Sequence, residues 1–186
     1  MKKAVITAVA LTLVLCLAIG GTLAYLVATS GTVTNTFTVG DINITLSETT
    51  GESGYKVVPG GTQAKDPKVT VKANSEDCYV YVCIENNLKI GNDVVVTYDI
   101  DLTKWEKVAG DDAKALYRYK TVVQLSDADQ DLPVFNNVSY SEDILKTNIQ
   151  TLKDKTIVLN AYAHQSANVA QGDADAAAIA WFNALQ

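Results

Sequence analysis

The side chains that could carry chemistry in this chain are few and scattered. There is a single histidine, His164, and no His-Glu-x-x-His pair, whereas a catalytic zinc needs three protein ligands and an open position. His164 stands at the end of a strand pattern and reads as a surface or hydrogen-bonded residue. Asp127-Ala128-Asp129-Gln130-Asp131 has the spacing of the first half of a calcium loop. Leu132 occupies the sixth position, where glycine turns the loop, and Val138 the twelfth, where glutamate closes the coordination shell. A solvated acidic turn is the expectation there, with a looser calcium site as the alternative. No Gly-x-Ser-x-Gly elbow, cysteine-nucleophile signature or glycine-rich phosphate loop occurs, and one histidine leaves little from which to build a triad. No catalytic, cofactor or metal residue is assigned, and a non-enzymatic protein is expected.

The cysteines lead to the same conclusion. Cys78 and Cys83 are five residues apart in an apolar run, which puts them on opposite faces of one strand. Two free or buried thiols are expected, and a disulfide would need a bulge or a strand end at Cys78. Cys16 follows Leu13-Val14-Leu15 as in a lipobox, but Leu15 stands where a small residue is needed. Tyr79, Tyr81, Tyr117 and Tyr119 could form an aromatic binding stripe; as strand residues they read first as core and cross-strand pairs.

The N-terminus supplies an address. Lys2 and Lys3 precede Ala4 to Gly21, which holds no charge, and Gly20, Gly21 and Thr22 then interrupt the apolar run, as in a secretory signal peptide. Thr22 and Ala24 offer small residues at minus 3 and minus 1, placing the cut before Tyr25, with Ala28 as a second position. A signal anchor is the alternative, because the uncharged run continues past Val27. Removing residues 1–24 takes two lysines and no acid from 15 basic and 21 acidic side chains, leaving a formal charge of −8. That charge disfavours nucleic acid and anionic lipid, which it would repel, so no nucleic-acid partner is expected, and membrane contact only through the uncleaved leader.

The remainder alternates in the way strands do. Thr32 to Phe37 is rich in β-branched residues, and Ile42 to Leu46 alternates apolar and polar. Tyr55 to Val58 reads as a brief strand ending at Pro59-Gly60-Gly61, and Pro67 opens a strand with Val69 and Val71 on one face. Tyr79 to Ile84, apolar on both faces, reads as the central strand. Val94 to Ile100 and Leu116 to Val123 are half-buried strands, with Trp105 in a polar segment between them. Ser126 to Pro133 reads as an acidic loop and Val134 to Val138 as a short edge strand. Ser141 is placed to cap a helix carrying Leu145, Ile149 and Leu152 on one face. Ile157, Leu159, Ala161 and Ala163 form the inward row of a last long strand. Asp173 or Asp175 caps a terminal helix presenting Ala178, Trp181 and Leu185, with Phe182 beside them. About eight or nine strands and one or two short helices predict a mostly all-β chain, an antiparallel β-sandwich. Its organisation reads as leader 1–24, strand-forming segment 25–40 and sandwich domain 41–186.

In their order, several of these stretches resemble the TasA and camelysin family of Gram-positive secreted proteins. They are Gly21-Thr22-Leu23-Ala24-Tyr25, Asn35-Thr36-Phe37-Thr38-Val39-Gly40, Pro59-Gly60 through Lys65-Asp66-Pro67 to Val69-Thr70-Val71-Lys72, then Tyr79-Val80-Tyr81-Val82, Ala161-Tyr162-Ala163-His164-Gln165 and Ala180-Trp181. The resemblance implies a jelly-roll sandwich, processing by a SipW-type signal peptidase, and self-association into extracellular fibres of a biofilm matrix or spore surface, with a possible matrix accessory protein. It also implies that the N-terminal segment of one subunit pairs as a donor strand with the next, which puts Tyr25, Leu26, Val27, Val33 and Phe37 in the assembly strand. The alternative for residues 32–39 is the first strand of their own domain. For the whole chain, the alternatives are a camelysin-like metalloprotease and a monomeric surface or matrix binding module.

Overall fold

In a computed structural model of the chain the described residues are 41–49 and 57–185. The chain divides into Met1–Val39 and Gly40–Gln186, and every described residue belongs to the second unit. The leader, the processing residues Thr22, Ala24 and Tyr25, and the assembly-strand residues Tyr25, Leu26, Val27, Val33 and Phe37 lie outside the described residues.

Two stacked β-layers form the body. The first is built on one long antiparallel ladder. Strands β2 (Thr62–Ala64) and β3 (Lys68–Val71) run against β10 (Gln130–Pro133) and β11 (Asn137–Tyr140). The register passes without a slip through the break at Lys65–Pro67, where Lys65 N–H donates to the Asn136 carbonyl and Val134 N–H to the Pro67 carbonyl. Strand β1 (Ile44–Ser47) adds outside β3, and β7 (Val96–Tyr98) outside β11. The second layer has the order β12-β4-β9-β8, with β4 (Cys78–Asn86), β8 (Trp105–Gly110), β9 (Lys114–Tyr119) and β12 (Ile157–Gln165). A two-residue ribbon, β5 (Lys89–Ile90) with β6 (Asp93–Val94), links the layers.

The nested pairings of β2/β3 with β10/β11 and of β4 with β9 are those of a jelly roll. The departures are at the corners: β1 pairs with β3, and its Cα atoms come within 8 Å of β12 without joining it. Antiparallel β-sandwich is therefore the observed class, as the alternation predicts.

Strand β4 is the centre. Val80, Val82 and Ile84 enter the main core with Val69, Val71, Trp105, Leu132 and Phe135. Tyr81 and Cys83 point the other way, beneath the terminal helix α1 (Gln171–Ala184), against Leu116, Ala174, Ala178 and Phe182. This accounts for the two-faced apolar run. The inward row Ile157, Leu159, Ala161 and Ala163 of β12 also packs on the main core.

Six expectations are corrected. Trp105 is not in a polar connection but begins β8, wholly buried, its indole donating to the Pro133 carbonyl (2.8 Å) and its ring set edge-on to Tyr119. The acidic loop 126–133 ends in strand β10, because Asp131 is neutralised across the register by Lys68 and Leu132 is buried. The edge strand at Val134–Val138 begins later and lies between β2 and β7, inside its sheet. The half-buried strand 94–100 splits because Val95 and Val96 are both buried, so alternation fails between them. The Ser141 helix stops after one turn: Ser141 Oγ accepts from Asp143 N–H, but only Ile149–Leu152 is helical, as a 3-10 turn. There Ile144 is buried and Leu145 exposed. Strand β2 was not expected at all, and α1 begins after Ala170 with no side-chain cap, so neither Asp173 nor Asp175 caps it.

The β8–β9 turn depends on one glycine. Gly110 has φ +86°, and a Cβ there would sit 2.0 Å from the Lys114 carbonyl oxygen. Gly110→Ala is expected to cost more than about 1 kcal/mol of unfolding free energy in urea, since the clash is with backbone. A smaller loss would mean that the turn repacks freely.

Candidate functional site

The residues singled out for chemistry do not converge. His164 is half-buried on β12, its Nδ1 2.8 Å from the Gln165 carbonyl oxygen, and among the described residues no three His, Cys, Asp or Glu stand close enough to hold a metal. The acidic run spends its carboxylates internally. Asp129 accepts from Lys72 Nζ and Ala73 N–H (both 2.9 Å), and Asp131 from Lys68 Nζ and Thr70 Oγ1 (both 2.6 Å). Those hydrogen bonds, the lysine in each case first, hold both carboxyls below the ordinary aspartate range.

Cys78 and Cys83 are free and buried, on opposite faces of β4. Burial, with Asp77 nearby, pushes the Cys78 thiol up to about 11, and burial also raises Cys83, so both are held as unreactive thiols. The four tyrosines form no single stripe. Tyr79 and Tyr81 lie on the α1 side of the sheet and Tyr117 and Tyr119 on the core side.

What the described surface does offer is backbone. Sheet edges present unpaired N–H and C=O groups that accept another strand unless the edge is short, charged, bulged or interrupted by proline. Most edges here carry such a guard. β1 has four residues, β2 three and β7 three. β8 carries Glu106 and Lys107 and a bulge between Lys107 and Ala109. β10 carries Asp131 and Pro133, and the Trp105 indole already occupies the Pro133 carbonyl. β12 has none of these. It is nine residues long, reads Ile-Val-Leu-Asn-Ala-Tyr-Ala-His-Gln with no acid, lysine, arginine or proline, and among the described residues pairs only with β4, in unbroken register.

Compared with known proteins, the chain matches no family model, and neither curated proteins nor solved structures give a significant match.

The two sides of the β12 edge differ in character. On the core side, Ile157, Leu159, Ala161 and Ala163 are only half-buried. Leu46 of β1 lies opposite Val69 in the ladder and so faces the same core, yet it is 38% exposed while Val69 is 0%. The inward apolar rows are thus incompletely covered where β1 and β12 meet. On the other side, Val158 is 40% exposed, and Tyr162 stacks on Trp181 of α1 with ring centroids 5.2 Å apart. A strand lying between two others holds them about 9.6 Å apart, twice the inter-strand spacing. Since β1 comes within 8 Å of β12, an added strand would push β1 outward by about 2 Å or more. β1 has only four residues and one paired edge to resist this.

The length and position of β12 are legible in the sequence; its status as an edge is not. The signal that could have found it is the run of nine strand residues without a gatekeeping charge.

Proposed function

We propose that the protein is a secreted, non-enzymatic structural subunit of an extracellular fibre, in a biofilm matrix or on a spore surface. It polymerises by N-terminal donor-strand exchange: cleavage after Ala24 by a SipW-type signal peptidase frees the segment 25–40, which adds as a strand to the β12 edge of the next copy. The observation that carries this reading is the unguarded nine-residue edge of β12 beside a half-covered apolar row. The donor is chemically suited to it. In Thr32 to Val39, Val33, Asn35, Phe37 and Val39 alternate with Thr32, Thr34, Thr36 and Thr38, giving one face that is apolar except at Asn35 for the core side and one hydroxylated face for the other. A tail still tethered to the bilayer cannot reach a neighbour's edge, which makes cleavage the switch for assembly.

Electron microscopy and size-exclusion chromatography of protein beginning at Tyr25 test this against protein with a blocking N-terminal tag. Filaments are expected from the free N-terminus alone. Deleting Tyr25 to Val33 should leave a folded monomer that does not extend fibres. Fibres of normal length from that deletion, or monomers from the free form, would overturn the proposal; the second result would favour residues 32–39 completing their own domain.

A further inference from the structure

The main core and the layer beneath α1 share no buried side chain: β4 and β9 send alternate residues to each, and the two clusters meet across the four-stranded sheet. Beside the apolar packing of Phe182, Ile179 and Leu185 and the stacking of Trp181 on Tyr162, a set of polar contacts holds α1 in place. Arg118, only 6% exposed on β9, is clamped by Asp175 of α1 through Nη1 and by Glu106 of β8 through Nη2. The Gln171 side-chain oxygen accepts from both nitrogens, at 2.9 and 3.0 Å, in the amide orientation that satisfies both groups. Tyr81 donates its hydroxyl to Asp175 (2.8 Å). At the other end, Lys114 Nζ donates to the Phe182 and Leu185 carbonyls and lies over the Phe182 ring.

Three features make this docking reversible. The buried contribution of α1 is two alanines, Ala174 and Ala178, and one large side chain, Phe182. Its N-terminus has no side-chain cap, and β9 supplies the cation at its C-terminal carbonyls. A 14-residue helix separated from such partners is marginal in water, so leaving the sheet and losing the helix are one event. Closure also buries Arg118 Nε with no hydrogen-bond partner, a cost that water removes on opening. Once uncovered, Arg118, Glu106, Lys114 and the tyrosine hydroxyls of Tyr79 and Tyr81 meet solvent with polar groups.

We propose that α1 is a releasable cover, which unlatches from the outer face of the four-stranded sheet and melts as a unit while the sandwich beneath stays folded. The inference stands apart from fibre formation and is read on monomers. The two thiols report on it, because Cys83 lies under α1 and Cys78 in the main core. In full processed chain carrying a blocking N-terminal tag, an aromatic disulfide reagent should modify Cys83 at least tenfold faster than Cys78 under native conditions, as located by fragmentation mass spectrometry. Ala178→Arg, which places a bulky charge at a wholly buried position on the docking face, should raise the Cys83 rate at least a hundredfold and leave Cys78 within threefold. Asp175→Asn should fall between. Equal rates at the two thiols in the native chain would overturn the proposal. So would an Ala178→Arg chain in which both react at the unfolded rate, which would make α1 integral to the fold, or one that stays folded with Cys83 still shut.

Discussion

Trp105→Ala is expected to remove about 3–5 kcal/mol of unfolding free energy, a large part of the roughly 5–15 kcal/mol of a typical domain. Trp105 is the largest fully buried side chain in the core. It sits on β8, at one edge of the four-stranded layer, and its indole bonds the carbonyl of Pro133 at the end of β10, at the edge of the opposite layer. One side chain therefore fills the core and ties the two layers together at that corner. Truncation leaves a cavity whose walls belong to two separate sheets, which limits how far it can collapse. Urea titration followed by circular dichroism measures the effect, and Trp181 remains as a fluorescent probe. Trp105→Phe keeps most of the volume and loses the hydrogen bond, so its loss should be about 1–2 kcal/mol. A loss below about 1 kcal/mol for the alanine variant would show that the corner is held by other contacts.

In the proposed assembly, placing two lysines on β12, Val158→Lys with Asn160→Lys, should slow fibre elongation at least tenfold, equivalent to about 1.4 kcal/mol at the growing end. These residues share the α1 side of the strand, where Val158 is 40% exposed. Charge on an edge strand leaves the monomer comfortable in water but must be crowded and partly dehydrated when another strand lies alongside. Monomer stability should therefore change by no more than about 0.5 kcal/mol. Leu102→Lys, at an exposed position away from that edge, is the control. Elongation followed by light scattering from preformed seeds separates the cases, and an unchanged rate for the double variant would assign the acceptor edge elsewhere.

Where periodicity was decisive, the sequence reads well. β3, β4, β12 and α1 follow from alternation or helical spacing, and β4's two apolar faces announced its cover on both sides. Two of the misreadings share a cause: a charged residue taken as a sign of solvent. Trp105 is flanked by Lys104, Glu106 and Lys107, and Asp131 precedes the buried Leu132, yet both segments are strands. Arg118 alternates with Tyr117 and Tyr119 on β9 and so lies on the face opposite the main core, yet that face is covered by α1. Such charges are satisfied by partners about 60 residues away, as in Asp131 with Lys68 and Arg118 with Asp175, and no local window contains both members. The edge status of β12 was hidden for the same reason, because being an edge depends on which strands a strand fails to meet. The shortened helix after Ser141 was a different error: Asn148 accepts from the Leu145 amide and turns the chain where a helix would continue.

The pairing of β12 with β4 sets an order of events for a chain that emerges N-terminus first. β4 ends at Asn86, while its partner on one side begins only at Ile157. Every shorter emerging chain holds the most apolar strand of the molecule with one flank bare, next to no other strand that fits its nine-residue register. The sandwich therefore cannot close progressively as it appears; it waits for its last strand and then closes late, through long-range contacts that form slowly. In the proposed assembly, the same strand that ends this vulnerable interval inside one copy would be the place where the next copy begins.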